Sequence, residues 1–82
     1  MRIQFDFKVL NVIEKNGVKS YIVQCLGENF RRVIKAQYDG SVYIPDYHQQ
    51  FWNIPALNRT FIDIELANFI MKIEKSRKVE WN

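Results

Sequence analysis

The sequence has little of what fixes a chemical site. Its one cysteine, Cys25, and one histidine, His48, stand 23 residues apart. A structural zinc takes about four such ligands at set spacings, so no metal is expected. The three glycines, Gly17, Gly27 and Gly40, stand singly and no Gly-Lys-Ser/Thr follows any of them, which excludes a phosphate-cradling loop. Asp46 and His48 diverge if they lie two apart on a helix. Cys25 sits in the apolar run around Tyr21, Ile22, Val23 and Leu26, where thiols are inert. Neither pair makes an acid–base or nucleophile–base site, and the expectation is no enzyme and no cofactor.

Long apolar runs are missing too. No stretch approaches the roughly twenty residues that span a bilayer, so no membrane partner is expected. The opening MRIQFDFKVL has an acid among its apolar residues and no small-residue cleavage site, which does not make a signal peptide. A single cysteine forms no internal disulfide and suits a reducing compartment. The expected location is cytoplasmic.

What is present is apolar and aromatic. Of 82 residues, 48% are hydrophobic and 15% aromatic, enough for one domain over 1–82 with a real core. Aromatic side chains bury roughly 150–250 Å² each, so twelve of them in this length are not all interior. The net charge of +3 is uneven, with +4 over residues 1–38, −3 over 39–66 and +2 over 67–82.

Ile3, Phe5, Phe7, Val9 and Ile13 alternate with polar residues as a half-buried strand does, while Leu10 and Val12 add apolar groups to the other face and predict a bulge or bend near Leu10. Asn16-Gly17 accepts the positive φ angles of a type I′ turn and predicts a hairpin into residues 18–26. Tyr21, Val23 and Cys25 share one face of that strand and Ile22 and Leu26 the other, implying cover on both sides. Gly27-Glu28-Asn29 turns the chain into a third strand over 30–38. There Phe30, Ile34, Ala36 and Tyr38 form the inner set, and Arg31 and Lys35 stand about 13 Å apart on the outer one.

Asp39-Gly40 leads to a short strand at 41–44, which Pro45 ends or confines to an edge. Asp46 stands at an N-cap position before Tyr47–Trp52, with Phe51 one helical turn after Tyr47. Pro55 disfavours an α conformation at Ile54. Beyond it, Ile62, Leu66, Phe69, Ile70 and Ile73 share one helical face, predicting a helix near 62–76 with Thr60 and Asp63 as a capping box. The run from Thr60 to Leu66 also alternates like a strand, and Trp81 packs back only if the tail orders. The fold class expected is α+β: an antiparallel meander of three or four strands (near 2–14, 18–26, 30–38 and 41–44) with a C-terminal amphipathic helix. A small all-β barrel of OB or SH3 type is the alternative.

Two functional readings follow. Lys8, Lys19, Arg31, Arg32 and Lys35 form a basic β surface able to follow a phosphate backbone, next to aromatics on which bases stack. In order and size the chain is similar to small OB-type domains and to four-strands-then-helix single-strand binders. That likeness implies a non-enzymatic domain that prefers single-stranded nucleic acid. The other reading is an adaptor or inhibitor module, of the kind viruses and mobile elements encode, which binds a host protein. It rests on Tyr43, Tyr47, Phe51 and Trp52, hot-spot residue types set in the acidic central block. The same segment could instead join two copies into a homodimer. A solvated basic sheet face and a packed aromatic hinge are the plainer alternatives to both.

Overall fold

Asn16 and Gly17 take φ angles of 55° and 79°, the left-handed values a two-residue hairpin demands. They join β1 (Asp6–Lys15) to β2 (Val18–Gly27). The structure, a computed structural model, describes residues 5–28 and 30–80. Two further strands, β3 (Phe30–Tyr38) and β4 (Val42–Tyr43), complete one antiparallel sheet in the order β1-β2-β3-β4. A single turn, α1 (Tyr47–Gln50), and a long helix, α2 (Ala56–Glu80), follow. This is the α+β meander. The sheet is open, so the barrel alternative is set aside.

The pairing of β1 with β2 slips once, from Val9 opposite Val23 to Asn11 opposite Ile22, leaving Leu10 as the extra residue of a bulge. One extra residue exchanges the two faces beyond it. Ile13, expected on the side of Phe5, Phe7 and Val9, therefore stands opposite Ser20 on the other side. Residues 2–4 of the expected first strand lie outside the described residues, as do Asn29 and Trp81.

The core forms on one face of the sheet. Tyr21, Val23 and Cys25 of β2 and Ile34 and Ala36 of β3 are buried against Ile62, Leu66 and Ile70 of α2, with Phe5, Phe51 and Ile54 closing the ends. Each fully buried aliphatic side chain contributes roughly 1.5–3 kcal/mol. Phe5 also explains Gly27. A Cβ there would lie 3.0 Å from the Phe5 ring, which stands edge-on to Phe30 at 5.6 Å. No described element packs on the second face of the sheet, so the expected cover on both sides is not found.

The helix is longer than its core-facing pattern predicted, starting at Ala56 rather than near 62 and reaching Glu80. Pro55 accounts for the early start. Its carbonyl accepts the Arg59 N–H at 3.0 Å, and proline is well suited to a helix start because the N–H it lacks would be unpaired there. Thr60 thus lies inside the helix, with its hydroxyl donating to the Ala56 carbonyl at 3.2 Å rather than capping. Ile64, which a strand would have buried beside Ile62 and Leu66, is 57% exposed. Asp46 precedes α1 in a left-handed conformation, φ 51°, without a side-chain cap bond.

Among the described residues, one charged group enters the core. Glu74 of α2 is 6% exposed and accepts the Lys19 Nζ at 2.9 and 3.1 Å and the Tyr21 hydroxyl. This fastens the second half of α2 to β2. Removing one partner of a largely buried ion pair leaves the other charge uncompensated. Lys19→Met is expected to lower the unfolding free energy in urea by about 3 kcal/mol, against the 0–1 kcal/mol or so typical of an exposed pair. A loss inside that smaller range would show the pair to be dispensable.

Candidate nucleic-acid interface

Alternation and register settle which side chains share the uncovered face. Tyr21, Val23 and Cys25 are buried, so Val18, Ser20, Ile22, Gln24 and Leu26 of β2 point the other way, and their cross-strand partners go with them. Four rows result. Asp6, Leu26 and Arg31 form the first, Lys8, Gln24 and Val33 the second, and Asn11, Ile22 and Lys35 the third. Ile13, Ser20, Gln37 and Tyr43 form the fourth. Lys15, opposite Val18, extends the face at the hairpin end.

The charge on this face is one-sided. Among the described residues, Lys8, Lys15, Arg31 and Lys35 oppose the single acid Asp6, and all four bases are exposed. The surplus of three equals the net charge of the whole chain. Lys8 on β1 lies two strand spacings, roughly 10 Å, from the Arg31–Lys35 pair on β3. The remaining surface is uncharged, with Asn11, Ser20, Gln24 and Gln37 among half-exposed aliphatic groups.

Two of the five bases read from the sequence lie elsewhere. Lys19 is on the covered side, held by Glu74. Arg32 is also on that side, half-buried, with its Nε donating to the Gln50 carbonyl at 3.2 Å. The expected basic set thus keeps Lys8, Arg31 and Lys35 and gains Lys15, which only the hairpin register places with them.

The aromatic set divides as well. Phe51 is 1% exposed and belongs to the core, with Tyr47 tilted against it at 4.6 Å between ring centres. Burial of Phe51 removes it from any surface. Tyr43 remains on the open face beside Gln37, and Trp52 is 75% exposed in the turn after α1.

Gln50 brings that turn to the sheet. Its side-chain amide accepts the Lys35 N–H at 2.7 Å and donates to the Lys35 carbonyl at 2.8 Å, as a neighbouring strand would, and donates also to the Pro45 carbonyl at 2.6 Å. Since β4 pairs only with Gln37 and Tyr38, this one side chain continues the pairing along the β3 edge. The aromatic turn and the basic strand therefore adjoin.

Cys25 and His48 do not meet as a nucleophile and base. His48 is exposed on α1, edge-on to Tyr47 at 6.1 Å. Cys25 is fully enclosed, and burial, with Glu65 adding, pushes its thiol up from 9.0 to about 12. Among the described residues no three His, Cys, Asp or Glu side chains cluster as a metal site would require. No helix described is long and apolar enough to cross a membrane. Set against protein-family models, curated proteins and solved structures, the chain matches none of them.

Two outcomes are expected. Gln50→Ala removes three hydrogen bonds and should cost about 2 kcal/mol, with amide exchange speeding at Lys35 and unchanged at Val23. The Cys25 thiol should stay unlabelled by an alkylating reagent until the chain unfolds. Because the fold holds the neutral thiol, the unfolded chain loses that proton first. Stability should then fall as pH rises from 9.0 towards about 12, and Cys25→Ala should flatten that part of the curve.

Proposed function

We propose that the chain is a small non-enzymatic domain that binds single-stranded nucleic acid on the open face of its sheet. The observation carrying this reading is the four-to-one excess of bases over acids on a face that no described element covers. A polyanion is drawn to such a face, and each phosphate it neutralises releases counterions. A broad four-stranded surface does not enter a major groove, which admits a helix or a two-stranded ribbon. It does suit a single strand laid across it, with phosphates at Lys8, Arg31 and Lys35 and uncharged side chains beneath the bases. Tyr43 on the face and Trp52 beside its edge are the stacking groups, worth roughly 1–3 kcal/mol per stacked base.

A protein partner is the second reading, favoured by half-buried Ile22 at the middle of the same face and by Ile13 and Val33, each about half exposed on it. Apolar centres with a charged rim are common where proteins meet.

Titrating a single-stranded oligonucleotide while following tryptophan fluorescence separates the two. Affinity is expected to fall as salt rises, and replacing Lys8, Arg31 and Lys35 together by Ala should make the log–log slope shallower by about 2, at ~0.7 for each phosphate left without its cation. Trp52→Ala should weaken binding by about tenfold, the loss of one stacked base. No binding at low salt, or binding indifferent to salt, would discard nucleic acid in favour of a protein ligand.

A further inference from the structure

The helix α2 is apolar on two opposite sides. At about 100° per residue, Ile62, Leu66 and Ile70 face the sheet. Leu57, Phe61, Ile64, Asn68, Met71 and Lys75 follow one another at alternating steps of four and three along the opposite side. That stripe is about 80° wide, and its apolar members Leu57, Phe61 and Ile64 are 61%, 38% and 57% exposed. A helix lying on a sheet in an isolated domain keeps charged groups on its outer side. Alternating steps of this kind make the seam along which two helices pack.

We propose that this stripe pairs, antiparallel, with the same stripe of a second copy of the chain. Three features favour a copy of itself over an unrelated partner. The charges flanking the stripe are self-complementary, since Glu65 and Lys72 lie on the same flank, one in each half of the helix. In an antiparallel pair like flanks meet, and Glu65 of each copy faces the Lys72 flank of the other. In a parallel pair that flank would meet the one carrying Thr60, Ala67 and Glu74, and Glu74 is already engaged by Lys19 and Tyr21. The stripe has its one uncharged polar residue, Asn68, near its middle, where a two-fold axis brings the two copies' asparagines together and a single buried amide pair fixes the alignment. Its C-terminal half also carries a shallow depression lined by Asn68, Phe69, Met71, Lys72 and Lys75. This is a hole for an apolar knob from the N-terminal half of the facing helix.

The pairing stacks the molecule as sheet, helix, helix, sheet. Both open sheet faces then point outward, so the dimer holds whether or not those faces bind nucleic acid. It also moves the self-association surface away from the central aromatic segment, where Phe51 and Tyr47 are already packed.

Sedimentation equilibrium on the full chain tests it. The wild type is expected to be a dimer. Ile64→Glu, at an exposed position, should be a monomer with an unchanged circular dichroism spectrum. Glu65→Lys and Lys72→Glu should each weaken the dimer by about tenfold or more, a change of roughly 1.4 kcal/mol, and the two combined in one chain should restore it. A wild-type monomer at the highest concentration reached would overturn the proposal, as would a dimer indifferent to Ile64→Glu. A double variant no tighter than the single ones would overturn the antiparallel arrangement.

Discussion

One face of β2 and β3 lies closed beneath α2, and the rest of the molecule depends on that packing. Tyr21, Val23, Cys25, Ile34 and Ala36 offer a flat apolar surface, and Ile62, Leu66 and Ile70 fit it as a row one helical turn apart. A two-layer α/β arrangement has only one core to hold it, and this core is made chiefly by two strands and one helix. The outer strands are supported more lightly. The first is carried through its bulge and β4 is two residues long, so the chain uses Gln50 as a substitute strand residue beside Lys35.

Covering one face of a sheet leaves the other uncovered, and the two faces differ in charge. The covered side contains its charges, with Glu74 holding Lys19 and the Gln50 carbonyl holding Arg32. Among the described residues, the open side keeps Lys8, Lys15, Arg31 and Lys35 with Asp6 as its single acid. Segregation of this kind raises the potential above one face without requiring a large total charge. The helix repeats the pattern on a smaller scale, with one side enclosed against the sheet and an opposite apolar side left exposed.

Much of the fold was legible because local chemistry and packing agree. Asn16-Gly17 has a conformational demand that the β1–β2 hairpin meets, and the alternation from Phe30 to Tyr38 gives the inner and outer sets found in β3. The site was less legible. Alternation alone puts Lys19 on the side of Tyr21, Val23 and Cys25 and Arg32 on that of Ile34 and Ala36, but no local signal shows the carboxylate 55 residues away that meets Lys19. Phe51 and Trp52 are neighbours of similar character, yet one is buried and one exposed, since a turn sends adjacent side chains in different directions. Pro55 read as a stop for what precedes it, and its role as the start of α2 was available in the same residue.

The sequence by itself determined the order of strands and helix, the position of the first hairpin, the burial of Cys25 and the surplus of bases in the first half. Periodicity and turn chemistry are properties of short segments, so they survive without a tertiary context. The tertiary structure decided that the sheet stays open, that the bulge at Leu10 sends Ile13 and Lys15 to the open face, and which bases remain free. It also placed the stripe from Leu57 to Lys75 on the outside of α2. Each of those depends on register or on which of two apolar faces another element covers, and a sequence pattern marks both faces alike until one of them is closed.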